Sequence, residues 1–153
     1  MLCSLFPAPD QIRDPGNLGT LIRSADAAGV DAALIPPETA DPFAPKVVRA
    51  GMGAHFRLPI LSMGWEDIVR ESEGLQVWLA DMDGEPCWQA DLRAPLALIV
   101  GGEAEGASAA ARRLATRQVK IPMAGKAESL NAAVAGSVLM FEAMRQKTVI
   151  SDQ

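Results

Sequence analysis

Two polar side chains near the N-terminus raise the first chemical question. Asn17 and Arg23 stand in the run Asp14-Pro-Gly-Asn-Leu-Gly-Thr-Leu-Ile-Arg23. At helical spacing, Asn17, Thr20 and Arg23 share one face, while Leu18, Leu21, Ile22 and Ala25 make an apolar stripe elsewhere. An amide and a guanidinium on one face can hold a hydroxyl and its neighbouring phosphate, because the planar fork of arginine matches phosphate oxygens. Taken alone, the same two residues read as a helix cap and a surface arginine.

A second segment, Val100-Gly-Gly-Glu-Ala-Glu-Gly106, follows an apolar run. Glycines there let a ligand approach the backbone closely. In open α/β sheets, ligands sit at the carboxyl ends of strands. The spacing is not that of a dinucleotide fingerprint, and no phosphate loop with Lys-Ser/Thr follows. Glu103 and Glu105 would repel a pyrophosphate, and a plain strand-to-helix turn also fits. The third segment is Ile121-Pro-Met-Ala-Gly-Lys-Ala-Glu-Ser-Leu-Asn131. Its backbone offers N–H and C=O groups to an adenine edge, and Ile121, Met123 and Leu130 offer apolar walls. Ser129 and Asn131 fall at the expected start of a helix, where a cap is the ordinary explanation.

The elements that must position these segments alternate between buried strands and helices. That pattern predicts an α/β domain with a largely parallel sheet flanked by helices. A helix runs from the Asp14-Pro-Gly-Asn17 turn to Gly29. Strands are expected at 32–35, 77–80, 96–100 and 119–121, and helices at 45–50, 65–73, 107–115 and 129–146. In the last helix, Leu130, Ala133, Val134, Ser137, Val138, Phe141 and Met144 form one apolar stripe. Ala132, Ala135 and Gly136 add small residues on other sides, so this helix reads as buried within the subunit or at a dimer contact.

Composition bounds the function. The chain has 153 residues, 49% of them hydrophobic, which suits one compact domain across residues 1–153. A single histidine, His55, excludes multi-histidine catalysis and a His-rich metal site. Cys3 and Cys87 form no ligand pattern, so no metal is expected, and both cysteines and His55 read as structural. No apolar run suggests a membrane span, and MLCSLFPAPDQIRD shows no secretory pattern, so a cytoplasmic protein is expected. The net charge is −5, which argues against a general nucleic-acid-binding surface. Residues 106–153 nevertheless hold 7 basic and 3 acidic residues. Arg112, Arg113, Arg117, Lys120 and Lys126 could form a local basic grip.

Together and in this order, the segments resemble the SpoU (TrmH-like) RNA 2′-O-ribose methyltransferases of the SPOUT class. Asn17, Gly19 and Arg23 match the family motif N-x-G-x-x-x-R. Gly101, Glu103 and Gly106 match G-x-E-x-x-G. Ile121, Pro122, Met123, Ser129, Leu130 and Asn131 match I-P-M … S-L-N. The resemblance covers about residues 10–147 and implies a single catalytic domain over 1–153 with no separate N-terminal RNA-recognition domain of the kind many members carry, either as a minimal member or as a fragment of a longer protein. It implies a SPOUT-type fold with a C-terminal deep trefoil knot, S-adenosyl-L-methionine as cofactor, and a homodimer with the active site at its interface. It implies that Leu79, Gly101, Gly106, Ile121, Met123 and Leu130 contact the cofactor. Asn17, Arg23, Glu103, Ser129 and Asn131 match the catalytic positions. The implied activity is methyl transfer to a ribose 2′-hydroxyl of tRNA or rRNA, a group that DNA lacks. Two other readings stay open at this point: a catalytically inactive knotted RNA-binding or assembly module, and a nucleotide-binding α/β protein.

Overall fold

The computed structural model describes residues 4–151, without the side chains of 150 and 151. Cys3 lies outside the described residues. The elements run β1 (Leu5–Asp10), α1 (Pro15–Ala28), β2 (Ala33–Ile35), α2 (Pro45–Ala50), β3 (Ile60–Ser62), α3 (Trp65–Glu71), β4 (Gln76–Pro86), β5 (Leu96–Gly101), α4 (Ala109–Leu114), β6 (Arg117–Lys120) and α5 (Ala132–Ser151). All strand pairings are parallel: β1-β5-β4-β6 form one sheet and β2-β3 a second.

The prolines of β1 explain why the strand pairs regularly on one edge only. The carbonyls of Ser4 and Asp10 accept from Leu96 and Gly102, so the even-numbered residues face β5. Pro7 and Pro9 therefore turn their nitrogens toward the other edge, where they have no proton to give. Side-chain bonds replace the ladder there. The Leu5 N–H donates to Asp31 Oδ2 at 3.0 Å, and Thr39 Oγ1 donates to the Pro9 carbonyl at 2.8 Å.

β5 is the central apolar strand, and its alternation sorts the core into two layers. Leu96, Leu98 and Val100 join the cluster built with Leu18, Leu21 and Ile22 of α1 and Leu139 and Met140 of α5. Ala97 and Ile99 join the opposite cluster, with Val77, Leu79 and Ala111. Helices thus cover both faces, as the sequence predicts. Asp14, not Asn17, caps α1: its carboxylate accepts from the Asn17 N–H at 2.8 Å. Pro15 opens the helix, and Gly29 closes it in the left-handed region at φ 72°.

Two departures from expectation bear on the site. β4 runs on to Pro86, and its pairing with β6 shifts register between Ala80 and Glu85. Asp81–Gly84 therefore bulge from the ladder, a device that re-aims side chains. α5 starts at Ala132 rather than 129, and its buried face is also different. Ala132, Ala133, Gly136, Leu139, Met140 and Ala143 face inward, while Val134 is 48% and Phe141 40% exposed. The small residues mark the closest contact: a Cβ on Gly136 would stand 2.5 Å from Leu21 Cδ2 and 3.3 Å from Val100 Cγ2. Ser137 Oγ donates to Ser24 Oγ at 2.6 Å, tying α5 to α1. The stripe of large residues and the small residues Ala132 and Gly136 thus lie on different faces, and the small ones make the close approach that the sequence allowed.

Candidate active site

The three polar segments follow β1, β5 and β6 and meet at the carboxyl ends of those strands. Asp10 closes β1 and is wholly buried. It holds both ends of the glycine loop after β5. Its carbonyl accepts from the Gly102 N–H at 2.9 Å, and its Oδ2 accepts from the Ser108 N–H at 2.6 Å. Inside the loop, the Gly106 N–H donates to the Gly102 carbonyl at 2.9 Å. Gly106 sits at φ +67°, a conformation that favours glycine. A Cβ on Gly101 would stand 2.6 Å from the Ala107 nitrogen, so the loop closes only without that side chain.

The loop is joined to the start of α5. Glu103 Oε1 accepts from the Ala132 N–H at 3.1 Å, placing a carboxylate on a helix N-terminus, where the backbone dipoles favour negative charge. Asn131 caps the same helix, its Oδ1 accepting from Ala133 and Val134 at 2.9 and 3.2 Å. Its amide also donates to Asn17 Oδ1 at 3.0 Å. The first and third segments are thereby bonded directly, and the second bonds to the third.

Two cavities flank this junction. The larger holds about 320 Å³ and is lined by residues from the bulge 80–82, the glycine loop and the 121–130 segment. That volume lies within the roughly 300–1,000 Å³ of small-molecule sites. The smaller holds about 180 Å³ between 11–14, Asn17 and 102–105. Gly102, Glu103 and Ala132 belong to the walls of both.

The predicted cofactor residues Gly101, Gly106, Ile121, Met123 and Leu130 all line the larger cavity, as do Glu103 and Ser129. Leu79 does not: it is 1% exposed in the core, and Ala80, Asp81 and Met82 form that wall instead. Asn17 lines the smaller cavity. Arg23 is exposed on α1, outside both walls, and has no ion pair among the described residues. The expected basic grip is partly neutralised. Arg112 pairs with Asp81 at 3.1 Å, and Arg117 lies 3.9 Å from Glu85 and 5.3 Å from the centre of the Trp78 ring. Arg113 and Lys126 are exposed, and Lys120 lines the larger cavity.

His55 bonds through Nε2 to the Pro42 carbonyl at 2.7 Å and meets Phe43 edge-on, a structural position. Cys87 is wholly buried, and burial pushes its thiol up. No group of three or more His, Cys, Asp or Glu is placed to hold a metal among the described residues. Nor is any described helix long and apolar enough to cross a membrane. Sequence reasoning missed Asp10 and Asp81. Each is an acidic residue at the end of an apolar run, which marks a strand end but not the distant loop or bulge through which it acts.

Comparison with known proteins decides the kinship. Residues 7–141 match the model of the SpoU rRNA Methylase family. The chain belongs to the SpoU rRNA methylase family. It is 41% identical over 135 residues to the 23S rRNA (guanosine(2553)-2'-O)-methyltransferase RlmP of Bacillus subtilis, covering 86% of this chain and 54% of that protein. The AdoMet-bound rRNA methyltransferase of Sinorhizobium meliloti superposes with a TM-score of 0.86 at 40% identity, covering 93% of this chain and 56% of that one. The SpoU methyltransferase AviRb of Streptomyces viridochromogenes, in complex with AdoMet, gives 0.87 at 36% identity, covering 97% and 59%. The chain thus spans a little over half the length of these SpoU relatives.

Proposed function

We propose that this chain is a SpoU-type methyl-transferring domain acting on the ribose 2′-oxygen of RNA, with ribosomal RNA as the favoured substrate. The observation that carries the reading is the junction where Asn131 bonds Asn17 and the Ala132 N–H bonds Glu103, set between two adjoining cavities that share lining residues. Group transfer needs a donor and an acceptor held side by side, with the reacting atoms about 3–3.5 Å apart, and two adjoining cavities offer that arrangement.

The residues of the larger cavity fit S-adenosylmethionine. Ile121, Met123 and Leu130 give apolar surface to a flat base, and the glycine loop gives backbone at close range. When bound, that cofactor supplies an activated methyl group on a sulfonium sulfur. The chain's own task is then chiefly positioning. Asn17 and Asn131, fixed on each other, present amide groups beside the shared wall. Arg23 lies six residues beyond Asn17 on an exposed face of α1. Its guanidinium grips an RNA phosphate and stabilises the oxygen as it loses its proton. It is not the base, because a guanidinium keeps its proton at neutral pH. The proton leaves to phosphate or water. Arg113 and Lys126 add phosphate contacts outside the cavities.

The same reading includes two further family features. The route from β6 at the sheet edge, through 121–131, to α5 beside α1 suits the knotted threading of the SPOUT class. Val134 and Phe141, exposed on the helix that packs against α1, suit a contact with a second copy that brings two sites together. A cytoplasmic location accords with an RNA substrate.

Transfer of labelled methyl from S-adenosylmethionine to ribosomal RNA tests the proposal. Arg23→Ala abolishes transfer and leaves S-adenosylhomocysteine binding nearly intact. Cofactor binding with no transfer to any RNA, by the unmutated protein, would instead support an inactive binding module.

A further inference from the structure

We propose that Asp81 and Arg112 form the subsite for a zwitterionic amino-acid end, namely the ammonium and carboxylate of the cofactor's methionyl part. The inference rests on the cofactor reading above and deepens it. The bulge in β4 is the first observation. Where the ladder with β6 shifts between Ala80 and Glu85, Asp81 turns into the wall of the larger cavity.

Asp81 is held there on both oxygens. Oδ1 accepts from the Asp83 N–H at 2.9 Å, and Oδ2 accepts from Arg112 Nη1 at 3.1 Å. Each oxygen keeps a second lone pair for an incoming ammonium. Arg112 reaches from α4 across to the glycine loop, and its Nη2 stands 3.9 Å from where a Cβ on Gly106 would lie. Its side chain is 50% exposed, against 17% for Asp81, so part of the guanidinium fork remains open to a carboxylate.

Charge decides what the pair can take. Four charged side chains line the cavity: Asp81, Glu103, Arg112 and Lys120. Glu103 is committed to the first turn of α5. Asp81 and Arg112 are a bonded pair of opposite sign. A phosphate beside Arg112 would also meet Asp81 and be repelled. A ribose diol would satisfy Asp81 and leave the guanidinium without a purpose. An α-amino acid end carries both charges on one carbon and complements both members. The rest of the lining agrees, since the 121–130 segment supplies apolar wall and the β4–α4 pair supplies dipolar wall.

Calorimetry with two probes tests this without any RNA. S-adenosylhomocysteine carries the amino-acid end, and 5′-methylthioadenosine has the same nucleoside and sulfur without it. Asp81→Asn and Arg112→Gln should each bind S-adenosylhomocysteine about tenfold or more weakly, the loss expected for one charge-assisted hydrogen bond. Both should bind methylthioadenosine within about twofold of the unmutated protein, which also shows that the pocket is folded. Arg112→Lys should recover part of the loss. Parallel weakening of both probes would overturn the subsite and make the pair a shaping contact. Unchanged S-adenosylhomocysteine binding would overturn it equally. An unmutated protein that binds neither probe would remove the cofactor reading itself, and the subsite with it.

Discussion

The Asn131 side-chain amide donates to Asn17 Oδ1 at 3.0 Å, joining residues 114 positions apart. The bond crosses from the start of α5 to the first turn of α1. It makes one rigid unit of two segments that are separately ordinary, because each asparagine alone resembles a local capping residue. Asn131 also caps α5, so its two duties can be separated.

Asn131→Ser separates them. Serine is as good a cap, but its hydroxyl is too short to reach Asn17. Unfolding stability should stay within about 0.5 kcal/mol of the parent. Methyl transfer should fall by about tenfold or more, the worth of a positioning hydrogen bond. Full turnover in a stable Asn131→Ser protein would show that the inter-asparagine bond has no part in the reaction.

Gly19 holds α1 against α2. A Cβ there would overlap the Ala50 side chain and stand 2.6 Å from the Val47 carbonyl. Alanine gains about 1 kcal/mol in helix propensity over glycine. Overpacking against helix backbone costs roughly 1–3 kcal/mol and prevails, because the Val47 carbonyl cannot swing aside. Gly19→Ala should therefore lower stability, read as an earlier urea midpoint. A later midpoint would mean that α2 shifts freely.

Cys87 should be chemically silent. Burial raises its thiol above the usual value, and the Glu142 charge pushes the same way. In a Cys3→Ser background, an alkylating reagent at neutral pH should leave the native protein unmodified and label it on denaturation. Rapid labelling of the native state would contradict the burial.

Glu142 carries a pH signature. Its hydrogen bonds from Arg145, at 2.8 and 2.9 Å, hold the carboxyl below the usual glutamate range, with Gln146 helping. A folded pKa lower than the unfolded one stabilises above the unfolded value and fades as pH falls through the folded one. The melting-temperature gap between the parent and Glu142→Gln should therefore be widest near neutral pH and close as the pH falls below the usual glutamate range. A gap that widens in acid would reverse the assignment.

The layered fold was legible because β5 is apolar on both faces, and because Asp14-Pro15 and Gly29 punctuate α1 by backbone chemistry. Three ordered motifs named the site, and Gly101, Glu103, Ile121 and Leu130 do face one cavity. What escaped depends on close packing or on register. The inward face of α5 is small, so the large residues Val134 and Phe141 stand outside the subunit core, where the sequence reading of a helix buried within the subunit or at a dimer contact left two places for them. The wall at Ala80–Met82 arises from a bulge that no alternation of side chains announces, which is why Leu79 stood in its place. Asp10 acts through a carbonyl and a carboxylate at two points of a distant loop, and spacing along the chain does not encode that.

The central claim is that the methyl group arrives on a sugar oxygen. Ribosomal RNA incubated with the protein and methyl-labelled S-adenosylmethionine, then digested to nucleosides, gives the most direct answer by mass spectrometry. The account predicts label in a 2′-O-methyl nucleoside, with its phosphodiester resistant to alkali and the signal absent for Arg23→Ala. Label on a base, or equal label with Arg23→Ala, would contradict it.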